Sequence, residues 1–203
     1  SSSAASDVYK RQFFHRDSNT FSYLVSDPAS SEAALIDPVL DYDPDTDASS
    51  ESPLRAMLDA IAQQQLHVRW LLETHAHADH VSAGRRLKQR FPDATLAIGE
   101  GIRAVQATFA PRYGLQLPDE HVVFDHLFAD GETFALGELQ GRIIAVPGHT
   151  SDSIAYLIDD AVFTGDSLFM PDGGTARCDF PGGDAAQLYL SLIHISEPTR
   201  QEA

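Results

Sequence analysis

Residues 73–80 read ETHAHADH and directly follow an apolar run at residues 68–72. Three imidazoles and a carboxylate therefore fall within six residues, and both groups are ligands that suit zinc and iron. The apolar run predicts a buried strand, whose end would give these side chains a rigid base. His75 and His77 occupy alternate positions, so both imidazoles can face one side of an extended backbone. The density of this HxHxDH pattern favours a metal site over a polar loop with chance histidines.

Two later segments complete the pattern. Residues 146–150 read VPGHT and place His149 on a loop after a predicted strand, while residues 162–166 read VFTGD and place Asp166 at the end of another. Either segment alone is typical of an ordinary turn. Together with residues 75–80, and in this order, the two segments favour a metal site.

The rest of the chain predicts an α/β (α+β) fold with two mixed sheets and helices outside them. A polar loop is expected at residues 41–52. The predicted helices span residues 53–66, 80–91 and 100–109. The predicted strands are residues 21–25, 33–36, 68–72, 95–98, 122–124, 133–136, 142–146, 154–158 and 161–164.

Charge and composition exclude several function classes. The 203 residues carry 14 Lys and Arg against 30 Asp and Glu, a net charge of -16. Such a chain repels nucleic acid and anionic lipid, so neither is an expected partner. No apolar run is long enough to span a bilayer and no signal peptide is visible, so we expect no membrane partner. The single cysteine, Cys178, fits a reducing compartment, and we expect a cytoplasmic protein.

Both ends have a foreign character. Residues 7–12 (DVYKRQ) can be back-translated into a DNA string whose reverse complement encodes LSLIHI, which is residues 190–195. The string resembles the transposase mosaic-end adapter of sequencing libraries. We therefore expect residues 1–12 and 190–203 to be non-native tails around a natural domain at residues 13–189 that is incomplete at its C-terminus. The alternative is a disordered start and a short terminal helix.

The ordered motifs HxHxDH, PGHT and TGD resemble those of the metallo-β-lactamase superfamily. That resemblance implies an αβ/βα sandwich, here C-terminally truncated, with metal at one edge of the two sheets. In binuclear members similar to glyoxalase II, one metal would be held by His75, His77, His149 and Asp166. The second would be held by Asp79, His80, the bridging Asp166 and a later histidine. Beyond Asp166 only His194 occurs, inside the adapter-like tail.

Residues 165–185 (GDSLFMPDGGTARCDFPGGDA) resemble the persulfide dioxygenase branch of this superfamily, as do residues 36–41. The resemblance implies one Fe(II) held by His75, His149 and Asp166. It also implies oxidation of glutathione persulfide by O2 to sulfite and glutathione. His77, Asp79 and His80 would then support the ligands or form a second metal site. Arg177 is the candidate residue for binding a substrate carboxylate. The alternative is that Arg177 forms an ion pair with Asp179 that only shapes the loop.

Three alternatives stay open. A binuclear Zn(II) thioester hydrolase similar to glyoxalase II is the main one, because zinc accepts the same ligands. A β-lactamase fits less well without an export signal. An incomplete domain that binds metal weakly and has no catalytic role is the third. Related enzymes often dimerise, so a homodimer is also an open expectation.

Overall fold

The structure is a computed structural model that describes residues 8–116 and 123–196. In chain order its strands are β1 Tyr9–His15, β2 Thr20–Ser26, β3 Glu32–Ile36, β4 Val39–Asp43, β5 Ala48–Ser50, β6 His67–Leu72, β7 Val81–Ser82, β8 Thr95–Gly99, β9 His126–Phe128, β10 Thr133–Leu136, β11 Leu139–Ala145, β12 Ile154–Ile158 and β13 Ala161–Phe163. The helices are α1 Arg55–Gln63, α2 Gly84–Arg90, α3 Ile102–Phe109 and α4 Ala185–Ser196.

Two sheets form the body of the fold. The first has six strands in the order β1-β2-β3-β6-β8-β9, antiparallel from β1 to β3 and parallel from β3 to β9. The second has four antiparallel strands in the order β10-β11-β12-β13. A small third sheet joins β5, β4 and β7. β2 and β3 pair antiparallel as a hairpin.

The core has one layer between the sheets and one layer on each outer face. Central strands are apolar on both sides because both of their faces are covered. In β6, Leu72 packs between the sheets, whereas its neighbour Leu71 packs against α1 and α2 on the outer face. On the other side, Ile195 of α4 covers Val146 and Ala155. This arrangement confirms the predicted sandwich of two sheets with helices outside.

Three predicted elements differ from the structure. Residues 41–52 were expected to form a loop, but β4 and β5 pair there as a hairpin. The helix expected at residues 80–91 begins only at Gly84, because β7 pairs with β4 and this tertiary pairing overrides local helix propensity. The strand expected at residues 122–124 lies instead at His126–Phe128, and residue 122 is outside the described ranges.

Both segments assigned to adapter-like tails lie in regular elements where the structure describes them. Residues 9–12 belong to β1, which pairs with β2 along its whole length. Residues 190–196 belong to α4, where Ser191 and Ile195 are buried while Leu190 and Ile193 remain exposed. Strand pairing uses backbone groups, so it places few demands on sequence. The non-native origin of these segments stays a prediction.

No helix in the two described ranges has the length and apolar character needed to cross a membrane.

Candidate metal centre

Three loops that follow strands bring their side chains to the same edge of the sandwich. The first loop follows β6 and carries His75, the second follows β11 and carries His149, and the third follows β13 and carries Asp166. Asp166 Oδ2 lies 3.9 Å from His75 Nε2 and 3.6 Å from His149 Nε2. One potential ligand atom from each residue lies within 4.8 Å of the others. The structure thus brings the predicted ligand set together.

A hydrogen-bond chain orients His75, which is only 2% exposed. The Thr74 hydroxyl donates to Asp37 Oδ2 at 2.8 Å, and His75 Nδ1 lies 2.9 Å from the same hydroxyl oxygen. Because the hydroxyl proton is directed to the carboxylate, Nδ1–H of His75 is the donor to Thr74. Nε2 therefore keeps its lone pair for a metal ion. Asp37 also accepts a hydrogen bond from the Thr74 amide at 2.7 Å and so helps to organise this loop.

His149 is oriented by a different partner. Its Nδ1 donates to the backbone carbonyl of Arg177 at 2.8 Å, and a carbonyl oxygen can only accept. Nε2 of His149 is thus also unprotonated and directed to the shared position near Asp166. The ring of Phe180 packs edge-on against this imidazole, with 5.3 Å between ring centroids. The loop at residues 177–180 therefore fixes one metal ligand from outside the sheets.

His77 lies beside this set but its Nε2 is engaged elsewhere. That nitrogen is 3.1 Å from Asp37 Oδ1 and 3.3 Å from Glu73 Oε2, so Nδ1 is the nitrogen left for a metal ion. Burial lowers the pKa of His77, but the two carboxylates outweigh it and hold the pKa well above its usual value. His77 is thus a buried imidazole held between two acidic side chains.

Asp79 and His80 form a second potential ligand group with His77. His80 Nδ1 lies 3.2 Å from Asp79 Oδ1, and the Thr20 hydroxyl donates to Asp79 Oδ2 at 3.2 Å. Burial raises the pKa of Asp79, but the hydrogen bond and charge of His80 reverse this and lower it. Among the residues that the structure describes, none is a hydrogen-bond partner of the buried His80 Nε2, as expected of a nitrogen whose natural partner is a metal ion or a bound water.

The donor set fits a divalent metal ion. Two imidazole nitrogens with fixed tautomers and one carboxylate oxygen converge, and such mixed nitrogen and oxygen ligands suit both iron and zinc. Burial raises the pKa of Asp166, and the nearby imidazoles of His149 and His77 offset this increase only in part. A cation at this position would stabilise the ionised carboxylate.

Arg177 lies at the rim of the site with its side chain exposed. Its Nε and Nη2 donate to the two carboxylate oxygens of Asp179 at 2.5 and 2.6 Å. The guanidinium also stacks over Phe180, 4.9 Å from the ring centroid. The ion pair between Arg177 and Asp179, predicted as the alternative role of Arg177, is thus present. The role of Arg177 in substrate binding stays a prediction.

Two buried acids near the site were missed by sequence analysis. Glu73 and Asp152 are each 2% exposed, and Asp152 Oδ2 accepts from the Ala76 amide at 2.9 Å. An acid that ends an apolar strand was a visible signal for Glu73, since buried charges need a partner. Asp152 had no such signal, because its partner lies 76 positions away in the chain.

Residues 15–199 match the Metallo-beta-lactamase superfamily, and the chain belongs to that superfamily. A protein named Glyoxylase B2 from Dictyostelium discoideum is 43% identical over 184 residues, covering 89% of this chain and 63% of the relative. The human protein named Persulfide dioxygenase ETHE1, mitochondrial, is 32% identical over 187 residues, covering 91% of this chain and 61% of the relative.

The crystal structure of ETHE1 from Myxococcus xanthus superimposes with a TM-score of 0.72 at 33% identity, covering 92% of this chain and 69% of that one. The similarity to the ETHE1 proteins supports placement in the ETHE1-like branch, as the motifs predicted. The chain spans from 42% to 66% of the length of curated relatives to which it is 42–44% identical. The superfamily and the site indicate a metal-dependent enzyme.

Proposed function

We propose that this chain is a mononuclear non-haem Fe(II) persulfide dioxygenase acting on glutathione persulfide. The observation that carries the proposal is the set of His75, His149 and Asp166, whose ligand atoms converge while the other nitrogen of each imidazole is held by a hydrogen bond. Two histidines and one carboxylate on one face of a metal ion are typical of non-haem iron oxygenases, because adjacent positions stay open.

The overall reaction balances as glutathione persulfide plus O2 and water giving glutathione, sulfite and two protons. Bound Fe(II) would supply the redox chemistry between O2 and the terminal sulfur. The chain supplies geometry and charge. Thr74 and the Arg177 carbonyl hold the two ligand imidazoles in their tautomers. Arg177, at the exposed rim, would exchange Asp179 for a carboxylate of the substrate and so orient the persulfide end toward the ligands.

A second candidate is a binuclear zinc thioester hydrolase. The observation in its favour is the buried His80 Nε2 beside Asp79, which has no hydrogen-bond partner within residues 8–116 and 123–196 and so offers a ligand for a second metal ion. The 43% identity to a protein named Glyoxylase B2 points the same way. Bound zinc would then supply an activated water for hydrolysis of a glutathione thioester.

Metal content and substrate use distinguish the two candidates. The 203-residue chain is purified anaerobically, loaded separately with Fe(II) and Zn(II), and assayed for O2 uptake with glutathione persulfide and for hydrolysis of a glutathione thioester. We expect one iron per chain, with O2 uptake and sulfite release from the iron form alone. His75→Ala should abolish both metal binding and uptake.

His67→Ala is the matched control, because His67 is an exposed imidazole at the start of β6, away from the ligand set. It should bind and turn over like the unchanged chain. Two zinc ions per chain with thioester hydrolysis and no O2 uptake would replace the dioxygenase with the hydrolase.

A further inference from the structure

Glu73 is a buried carboxylate that takes no part in the proposed ligand set. It follows β6 directly and is 2% exposed. Placing a carboxylate inside a protein costs free energy unless it is paired or hydrogen-bonded. The partners of Glu73 therefore indicate what its side chain contributes at this position.

The two oxygens of Glu73 contact two different segments. Oε1 accepts a hydrogen bond from the Ser82 hydroxyl in β7, just before α2. Oε2 lies 3.3 Å from His77 Nε2 as an ion-pair contact, while the hydrogen bond of that nitrogen is formed with Asp37 Oδ1 at 3.1 Å. The side chain thus connects the imidazole of the metal-ligand loop to the segment that leads out of that loop.

The Glu73 carboxylate is closely packed against the first turn of α2 at Gly84. A Cβ added at Gly84 would lie 2.7 Å from Glu73 Oε1 and 2.8 Å from a methyl group of Leu96. Glycine is unfavourable inside a helix, so its presence in the first turn of α2 needs a packing reason. The close approach of the Glu73 carboxylate and of the Leu96 side chain is that reason. The backbone is also held, because the Tyr156 hydroxyl donates to the Glu73 carbonyl at 2.8 Å.

We propose that Glu73 is a positioning residue for the metal centre. By contacting His77 with one carboxylate oxygen and Ser82 with the other, it fixes the imidazole ring and the course of the ligand loop between His75 and His80. The ring of His77 lies between those of His75 and His80, with centroid distances of 4.2 Å on both sides. A rotation of His77 therefore displaces ligands of both groups. This inference rests on the metal site of the proposed function and not on the reaction performed there.

The test uses Co(II), whose absorption spectrum reports ligand geometry without any turnover. Glu73→Met keeps a chain of similar length but removes both polar contacts. Glu73→Gln is the conservative variant, because its amide oxygen can accept from His77 while its amide nitrogen donates to the Ser82 hydroxyl. We expect Glu73→Met to weaken Co(II) binding about tenfold and to shift the spectrum, as is typical when a group behind a ligand is lost. Glu73→Gln should restore binding to within about threefold and restore the spectrum.

Unchanged Co(II) affinity and spectrum in Glu73→Met would overturn the inference, and so would a Glu73→Gln variant as weak as Glu73→Met. If Glu73→Met does not fold, Ser82→Ala decides. Ser82→Ala removes the hydrogen bond to Glu73 and also the one that Ser82 Oγ accepts from the Gly84 amide at 3.0 Å. It should shift the spectrum and weaken binding about threefold, whereas no change overturns the inference. Co(II) binding is independent of O2 uptake, so a chain that binds Co(II) but consumes no O2 with glutathione persulfide contradicts the dioxygenase alone.

Discussion

The carboxylate of Asp152 accepts a hydrogen bond from the backbone amide of Ala76 at 2.9 Å. Asp152 lies three residues after His149, and Ala76 lies between His75 and His77. This contact therefore joins the ligand loop of the first sheet to the ligand loop of the second. The neighbouring bond from the Ile154 amide to the Thr74 carbonyl, also 2.9 Å, supports the same junction. The candidate metal centre depends on it because its ligands come from both loops.

Asp152→Ala should weaken this junction. The half-buried Ala76 amide would lose its acceptor, so we expect the free energy of unfolding to fall by about 1–3 kcal/mol. Co(II) affinity should fall about tenfold, because the two loops lose their fixed separation. Urea denaturation and Co(II) titration measure the two effects. Asp152→Asn keeps an acceptor oxygen and should stay close to the unchanged chain. Equal losses in both variants would show that the hydrogen bond is not responsible.

Thr74→Val should impair metal binding without a change in side-chain size. Removal of the hydroxyl leaves His75 Nδ1 and Asp37 Oδ2 without the partner they share. We expect Co(II) affinity to fall about 10- to 100-fold, since the tautomer of His75 is no longer fixed. Isothermal titration with the purified chain measures this loss. Thr74→Ser retains the hydroxyl and should bind within about threefold of the unchanged chain, so a serine variant as weak as the valine variant contradicts the hydrogen-bond chain.

Tyr156→Phe should reduce stability while leaving metal affinity unchanged. Its hydroxyl is fully buried and donates to the Glu73 carbonyl, not to a side chain of the site. Loss of that hydrogen bond should lower the free energy of unfolding by about 1 kcal/mol, as measured by urea denaturation. Tyr113→Phe is the control, because Tyr113 is 71% exposed and its loss should change stability by less than about 0.5 kcal/mol. A large drop in Co(II) affinity for Tyr156→Phe would contradict the expected separation of the two effects.

Arg177→Gln distinguishes a substrate contact from a loop contact. If the guanidinium holds a substrate carboxylate, this variant should raise KM for glutathione persulfide about tenfold. Asp179→Asn should change KM little, because it leaves the positive charge of Arg177 in place. Steady-state O2 uptake by the Fe(II) form gives both values. Equal increases in KM for the two variants would mean that the ion pair serves only to shape the loop next to His149.

Much of the fold could be predicted from local sequence. The strands on either side of the β2–β3 turn and the strand that delivers His75 follow from apolar runs bounded by turn residues. The predictions that failed concern residues whose secondary structure depends on pairing with a distant strand. Residues 80–83 have helical spacing but their backbone pairs with β4 through β7, and the polar stretch after β4 forms a hairpin whose side chains are mostly exposed. Exposed strands lack the apolar alternation that a sequence pattern detects.

The ligand types and their order were determined by the sequence itself, because each short motif carries its own imidazole or carboxylate at the end of a strand. The superfamily follows from that order. The partners of these ligands were decided by the tertiary structure alone. Asp37 reaches Thr74 and His77, Asp152 reaches Ala76, and the carbonyl behind His149 comes from Arg177. Such pairs join positions tens of residues apart in the chain, so no local spacing encodes them. They form only when the two sheets pack and bring their loops to one edge.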